Sequence, residues 1–363
     1  MTPELAEWYR GRRVFVTGHT GFKGSWLVAW LREAGAAVTG YALPPETGRP
    51  ALFTLAGLDR GIDSILADVR DRQRLQAVFT AAAPELVFHL AAQAVVRRSY
   101  REPVETYETN VLGTAHLLDA ARRAPSVRAI VVVTSDKCYE DRGTGHPYRE
   151  DEPMGGYDPY SSSKGCAELV TAAYRRSFLG EQGIAVGSGR AGNVIGGGDW
   201  TEDRLVPDLM EAAARGEQTL LRRPNAVRPW QFVLDPLRGY LMLGRALVEQ
   251  GCTVAEAWNF GPAEGDIATV GELARRMRCT WDRVSVRAEG AEPGPHEAAF
   301  LALDCTKARD RLGWKPALTL EEGVRMTTAW YRAYYENPAS APLLVQQQLD
   351  TYARRVPHAG TDR

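Results

Sequence analysis

The first apolar run, Arg13–Thr17 (RVFVT), ends directly in Gly18-His19-Thr20-Gly21-Phe22-Lys23-Gly24 and continues into an amphipathic helix predicted over Ser25–Glu33. Few structures need a strand that passes through three spaced glycines into a helix. Glycine permits a tight turn and the close backbone approach of a pyrophosphate, which then sits at the helix N-terminus. The spacing is G-x-x-G-x-x-G rather than the commoner G-x-G-x-x-G, so the string alone also fits a plain turn. Its strand–loop–helix setting points to a nucleotide cofactor held by Gly18, Thr20, Gly21, Phe22, Lys23 and Gly24.

The alternation continues through the first half. Strands are predicted at Val38–Ala42, Ile65–Ala67, Leu86–Leu90 and Ala129–Thr134, and helices over Arg70–Ala82, Pro103–Arg123 and Pro159–Phe178. Apolar strands without in/out alternation, separated by helices, indicate a parallel sheet covered on both faces. The fold class is therefore α/β, a Rossmann-type doubly wound unit.

The periodicity weakens after about residue 190. Val194–Asp199 (VIGGGD) reads as a glycine-rich loop, Asp208–Arg215 as a helix, and Thr219–Val233 is rich in arginine, proline and tryptophan. Trp258–Gly261 is expected to return one strand to the sheet, and residues 269–335 to hold two helices and a short strand near Arg283–Arg287. The expected division is a dinucleotide-binding unit at 1–194 with a returning segment near 228–262, a smaller interleaved C-terminal α/β lobe at 195–340, and a tail at 341–363.

The 363 residues suffice for both parts. A net charge of −1 offers no field for nucleic acid or an anionic membrane. The start, MTPELAEWYRGRR, is too charged for a signal peptide, and no apolar run reaches the roughly 18 residues of a membrane span. Five scattered cysteines, none in a Cys-x-x-Cys pair, support neither a disulfide framework nor a zinc site and fit the cytoplasm. No His, Asp or Glu cluster has metal spacing, so no metal is expected.

Tyr160 and Lys164 stand four apart in a predicted helix, on one face at about 5–6 Å. A lysine ammonium there is expected to lower the tyrosine pKa and make the phenol a base for a substrate hydroxyl. Thr134-Ser135-Asp136-Lys137 leaves the fifth strand at its carboxyl end, where open α/β sheets bind ligands. Ser135 can hydrogen-bond a sugar hydroxyl, and Asp136 with Lys137 adds an acid–base pair. Asp68, ending the third strand, is placed to cap adenine, whereas the second strand ends in Tyr41-Ala42-Leu43-Pro44-Pro45 with neither the acid of NAD binders nor the arginine of NADP binders. Glu46 and Arg49, slightly beyond, could serve either. Trp26 and Trp30 read as packing on the sheet, and His89 as a structurally satisfied histidine.

GHTGFKG, His89-Leu90-Ala91-Ala92-Gln93, Thr109-Asn110-Val111-Leu112-Gly113-Thr114, Tyr160 with Lys164, and Arg190-Ala191-Gly192-Asn193 together resemble the extended short-chain dehydrogenase/reductase family of NAD-dependent epimerases and dehydratases. TSDKCYE at 134–140, YSSSKGCAELV at 160–170, GNVIGGGDW at 192–200, RPWQFVLDPLRGY at 228–240, WNFGP at 258–262 and LGWKP at 312–316 resemble its CDP-glucose 4,6-dehydratases. Phe232 departs from that group's usual histidine, and Ala299 from its usual bulkier residue.

The resemblance implies a tightly held NAD, recycled in each turnover, with Asp68, Val69, Leu90, Ala91, Ala92, Gln93, Asn110, Thr134, Tyr160 and Lys164 joining the glycine loop around it. It implies that Tyr160 deprotonates the sugar 4-hydroxyl during oxidation of carbon 4, and that water leaves across carbons 5 and 6 with Asp136 as the acid. Hydride then returns to carbon 6, giving CDP-4-keto-6-deoxyglucose. Lys137 stands where related dehydratases have a glutamate base; an ordinary lysine is protonated at neutral pH, so it would need desolvation or would stabilise the enolate instead. Asn193 and Arg228, and more weakly Arg222 and Arg223, are phosphate candidates, and His296 with Glu297 candidates for the cytidine ribose. The two long helices are candidates for a homodimer interface. The alternatives are a nucleotide-sugar 4-epimerase of the same fold and a non-catalytic NAD-sensing protein.

Overall fold

The computed structural model describes residues 1–143, 145–288 and 300–356. Seven strands, β1 (Arg13–Thr17), β2 (Ala37–Ala42), β3 (Asp63–Leu66), β4 (Leu86–His89), β5 (Ala129–Val133), β6 (Ala185–Arg190) and β7 (Ala257–Asn259), form one sheet in the order β7-β6-β5-β4-β1-β2-β3. Every pairing is parallel, with Val14 of β1 opposite Val38 on one side and Leu86 on the other. Helices cover both faces, and β4, β5 and β6 are buried at every position. This is the Rossmann-type architecture that the apolar runs predict. Strand order reverses between β1 and β4, which opens a crevice at the carboxyl ends of the strands.

β6 carries Gly187, Ser188, Gly189 and Arg190, a composition far from the apolar runs of its neighbours. Its burial depends on a 17-residue helix, Leu234–Gln250, that no feature of the sequence pattern announced. That helix lies close because the glycines lack side chains: a Cβ at Gly187 would come 3.2 Å from Leu243, and one at Gly189 2.7 Å from the Tyr240 ring.

Other elements differ in detail from expectation. The stretch 103–121 is not one regular helix; a wide π-turn, Glu108–Leu112, separates Pro103–Tyr107 from Gly113–Ala121. Where two helices were expected over residues 269–335, the described residues there hold three, Val270–Thr280, Thr306–Leu312 and Leu320–Glu336. Residues 341–353, expected as part of a tail, form a helix whose Val345, Leu349 and Tyr352 are buried. Tyr352 packs edge-on against Trp30 at 5.5 Å and donates to Asp235 at 2.6 Å. Trp26 and Trp30 pack as expected, the former donating to the Gly197 carbonyl at 3.0 Å. Phe232 is buried against Tyr352. Outside the seven-stranded sheet, short strands pair, Gln218–Leu221 with Ser285–Ala288 and Val227–Arg228 with Ala268–Thr269.

The glycine turn after β1 is tightly closed. Gly18 has φ +74°, a left-handed conformation that side chains resist. A Cβ at Gly24 would stand 2.0 Å from the Gly18 oxygen and 2.8 Å from the His19 Cα, both backbone atoms that no rotamer change can move aside. Gly24→Ala is therefore expected to destabilise the protein by about 1–3 kcal/mol, measured as a lower urea midpoint; an unchanged midpoint would show that the turn relaxes freely.

Candidate active site

Asp158 starts the helix Pro159–Tyr174 by accepting from Ser161 N at 2.9 Å and Ser161 Oγ at 2.6 Å, with Pro159 in the first turn. This helix presses on the 3₁₀ turn Asp136–Cys138 that leaves β5, since a Cβ at Gly165 would lie 3.3 Å from the Cys138 carbonyl oxygen. Ser135 Oγ accepts from Lys137 N at 3.2 Å and donates to Asp136 Oδ1 at 2.9 Å. Ser135, Asp136, Tyr160 and Lys164 are all buried, and Lys137 is half-buried. The structure thus brings the five predicted catalytic residues to one strand end.

Their electrostatics differ from the expectation. The Lys164 ammonium lies 6.0 Å from the centre of the Tyr160 ring, and it is not what sets the phenol's acidity. Burial dominates and pushes Tyr160 up to about 12, with the Ser135 hydroxyl and the Arg204 charge pulling the other way. Burial likewise lowers Lys164 to about 8. Lys23, in the glycine turn, is lowered to about 7 by burial and then by Arg204 and Lys164, against the pull of Asp136. The desolvation of two closely packed cations and a phenol outweighs the simple pairwise attraction that spacing suggests.

The cofactor candidates gather along the crevice. Gly21 caps the helix Phe22–Glu33 without a side-chain hydrogen bond, so its first N–H groups face outward, as a phosphate requires. Thr20 Oγ1 donates to the Leu43 carbonyl at 2.8 Å. Thr17 Oγ1 accepts from Leu90 N and Ala91 N, both at 3.1 Å, and meets His89 Nδ1 at 2.7 Å. His89 Nε2 contacts Thr114 Oγ1 at 3.1 Å, and burial lowers the ring to about 3, keeping it neutral. Asn110, in the π-turn, donates to the Gln93 carbonyl at 3.0 Å and to Ser163 Oγ at 2.8 Å, tying the segment after β4 to the catalytic helix. Ala92 lies in that segment, and Val69 packs where a Cβ at Gly113 would come within 2.9 Å. Asp68 is already engaged by Arg70, at 2.8 Å from N and 2.6 Å from Nη2. Arg49 donates to the Trp200 carbonyl at 2.7 Å and to Glu202 at 3.0 Å.

Among the substrate candidates, Asn193 adopts φ +44°, unusual outside glycine, with a buried side-chain oxygen that has no partner among the described residues. Arg228 is buried, with Nη1 donating to the Val227 carbonyl at 2.9 Å. Arg222 faces Asp203 at 3.7 Å, as does Arg97 from the opposite half. His296 and Glu297, with Ala299, lie outside the described residues.

Two residues escaped notice in the sequence. Arg204 precedes the helix Leu205–Arg215, pairs with Asp199 at 3.0 Å and brings a positive charge to Tyr160. Glu168 follows Lys164 by one helical turn and is buried. It accepts from Thr134 Oγ1 at 2.5 Å, Ser188 Oγ at 2.7 Å and Arg190 Nη2 at 3.0 Å. Arg190 in turn donates to Tyr139 OH at 2.8 Å, which donates to Asn259 at 2.7 Å. The i, i+4, i+8 spacing of Tyr160, Lys164 and Glu168 was the available signal.

The model of the GDP-mannose 4,6-dehydratase family matches residues 15–327. The chain belongs to this family. A CDP-glucose 4,6-dehydratase of Salmonella typhimurium is 48% identical over 332 residues, 90% of this chain and 92% of that protein. Among solved structures, a UDP-glucose 4-epimerase of Thermotoga maritima with UDP-glucose is similar at TM-score 0.76 and 27% identity, covering 88% of this chain and 98% of that one. A Thermus thermophilus UDP-glucose 4-epimerase in complex with NAD matches with the same TM-score, identity and coverage.

Removing Glu168 leaves Arg190 buried without its counter-charge. Glu168→Ala is expected to cost about 3–5 kcal/mol in chemical unfolding, and a loss under 1 kcal/mol would mean the arginine finds another acceptor.

Proposed function

We propose that this protein is a CDP-glucose 4,6-dehydratase, an NAD-dependent hydro-lyase that forms CDP-4-keto-6-deoxyglucose. The 48% identity to a protein of that name supports the reaction class, and the family match supports dehydration. The observation that carries the reading within the site is Asp136. Its Oδ1 accepts from Ser135, while Oδ2 is buried without a partner among the described residues, beside Tyr160. A 4-epimerase needs no acid to expel a hydroxyl from carbon 6; a dehydratase does.

The glycine turn, closed so tightly that a side chain at Gly18 or Gly24 would strike backbone, and the helix start without a side-chain cap fit the phosphates of a dinucleotide. NAD supplies a hydride acceptor for carbon 4 and, as a cation when oxidised, favours a neighbouring phenolate. Tyr160 takes the 4-hydroxyl proton, with Ser135 sharing the hydrogen bond. Asp136 protonates the departing 6-hydroxyl, and Lys137 acts at carbon 5. Asn193, Arg228 and Arg222 hold the diphosphate, with His296 and Glu297 toward the nucleoside. In this reading residues 1–194 serve the cofactor and 195–340 the nucleotide sugar.

The chain acts as a homodimer. Val104, Tyr107, Leu112, Leu169 and Phe178 expose apolar surface along 103–121 and 159–179, and Tyr107 OH joins these helices by donating to Ser162 Oγ at 3.1 Å. No helix among the described residues is long and apolar enough to cross a membrane. All five cysteines are free, which fits a reducing cytoplasm.

Incubation with CDP-glucose and NAD is expected to give a product lighter by one water; recovery of CDP-galactose alone would favour the epimerase. Tyr160→Phe is expected to keep NAD affinity while kcat falls by about 10²–10⁴-fold, and undiminished turnover would remove the phenol from the mechanism. A Val104→Glu, Leu169→Glu variant is expected to sediment as a monomer where the parent sediments as a dimer.

A further inference from the structure

Gln231 is a buried polar side chain that the mechanism above does not use. It lies in the short strand Gln231–Phe232, which pairs in parallel with Val194–Ile195 just beyond the end of β6. Its side-chain nitrogen Nε2 donates to the Gly192 carbonyl at 3.2 Å and to the Phe260 carbonyl at 2.8 Å. Both amide hydrogens are thereby engaged. Its backbone N–H donates to the next carbonyl of the same corner, that of Asn193, at 3.3 Å. Phe260 N in turn donates to the Arg190 carbonyl at 2.8 Å. One residue thus ties the corner after β6 to the segment after β7. Asn193 holds φ +44° in that corner, a conformation that persists outside glycine only where neighbours enforce it.

The corner is also a wall of the reaction site. Gly192 stands so close to Asp136 that a Cβ on it would come 1.9 Å from Oδ2 and 2.1 Å from Cγ. The other carboxylate oxygen, Oδ1, accepts from Ser135 at 2.9 Å, whereas Oδ2 has no hydrogen-bonding partner among the described residues. On the Oδ2 side, therefore, the carboxylate is held by contact with Gly192. Where Gly192 stands depends on the bond from Gln231 to its carbonyl.

We propose that Gln231 is a positioning residue for Asp136, acting through Gly192. The inference rests on the dehydratase reading above. In the elimination, Asp136 gives its proton to the 6-hydroxyl oxygen of the sugar. The C6–O bond breaks with its electron pair on oxygen and water leaves, while the electron pair freed at carbon 5 forms the C5–C6 double bond. Gln231 exchanges no proton; it keeps the acid from swinging away from the departing oxygen.

Gln231→Met keeps the length of the side chain and the backbone bond to Asn193, and removes only the bonds from Nε2. The expected result is a melting temperature within about 5 °C of the parent and a kcat lower by about tenfold, with KM for CDP-glucose unchanged. Carbon 4 is still oxidised, so reduced nicotinamide, read by its near-ultraviolet absorbance, accumulates in a single turnover. In the Asp136→Asn background the same substitution is expected to add less than about a twofold loss, because the two act on one step. Gly192→Ala leaves the Gln231 bonds in place and pushes directly on the carboxylate; it is expected to accumulate reduced nicotinamide too, and decides the matter if Gln231→Met fails to fold. Unchanged kcat, a higher KM alone, equal slowing of oxidation and elimination, multiplying losses in the double variant, or no accumulation in Gly192→Ala would each overturn the proposal. A parent protein that only epimerises CDP-glucose would overturn the dehydratase reading itself.

Discussion

One buried carboxylate braces the strand ends beside Ser135, Asp136, Tyr160 and Lys164. Glu168 takes hydrogen bonds from Thr134 at the end of β5 and from Ser188 and Arg190 on β6, so it joins the catalytic helix to two neighbouring strand ends. Arg190 extends the connection through Tyr139 to Asn259 on β7. Ser135 and Asp136 follow Thr134 directly, and Lys164 precedes Glu168 by one turn. Any drift of the helix relative to the strands would leave a charge or hydroxyl unpaired in a dry interior. A buried ion pair of this kind adds little net stability; here it fixes where Asp136 stands relative to Tyr160.

The space for that centre comes largely from missing side chains. Gly24 lets the first helix close on the turn after β1, and Gly165 lets the catalytic helix reach the turn after β5. Gly189 and Gly192 make room for the Tyr240 ring and the Asp136 carboxylate. Close packing has an electrostatic consequence, because Lys164 and Tyr160 are buried together and Lys23 is half-buried beside them. Burial drives both lysines toward neutrality and the phenol away from ionisation. The site is therefore tuned by desolvation first and by neighbouring charges second.

Much of this was legible in the residues. RVFVT running into GHTGFKG specified a strand, a glycine turn and a helix start, and the apolar runs of β4 and β5 specified central parallel strands. Ser135, Tyr160 and Lys164 were recognisable by type, spacing and position at a strand end. By contrast, β6 and the helix Leu234–Gln250 had no such signature, since each is buried only because the other is there. Arg204 and Glu168 were overlooked because their importance lies in partners distant along the chain.

The sequence by itself determined the sheet, the glycine turn after β1 and the identities of the side chains at the strand ends, because those depend on local periodicity and on chemistry that a residue carries wherever it sits. Only the tertiary structure decided how far burial shifts Tyr160 and Lys164, and which residues brace them. Desolvation and contacts between distant segments are properties of the packed interior, and no spacing along a chain encodes them.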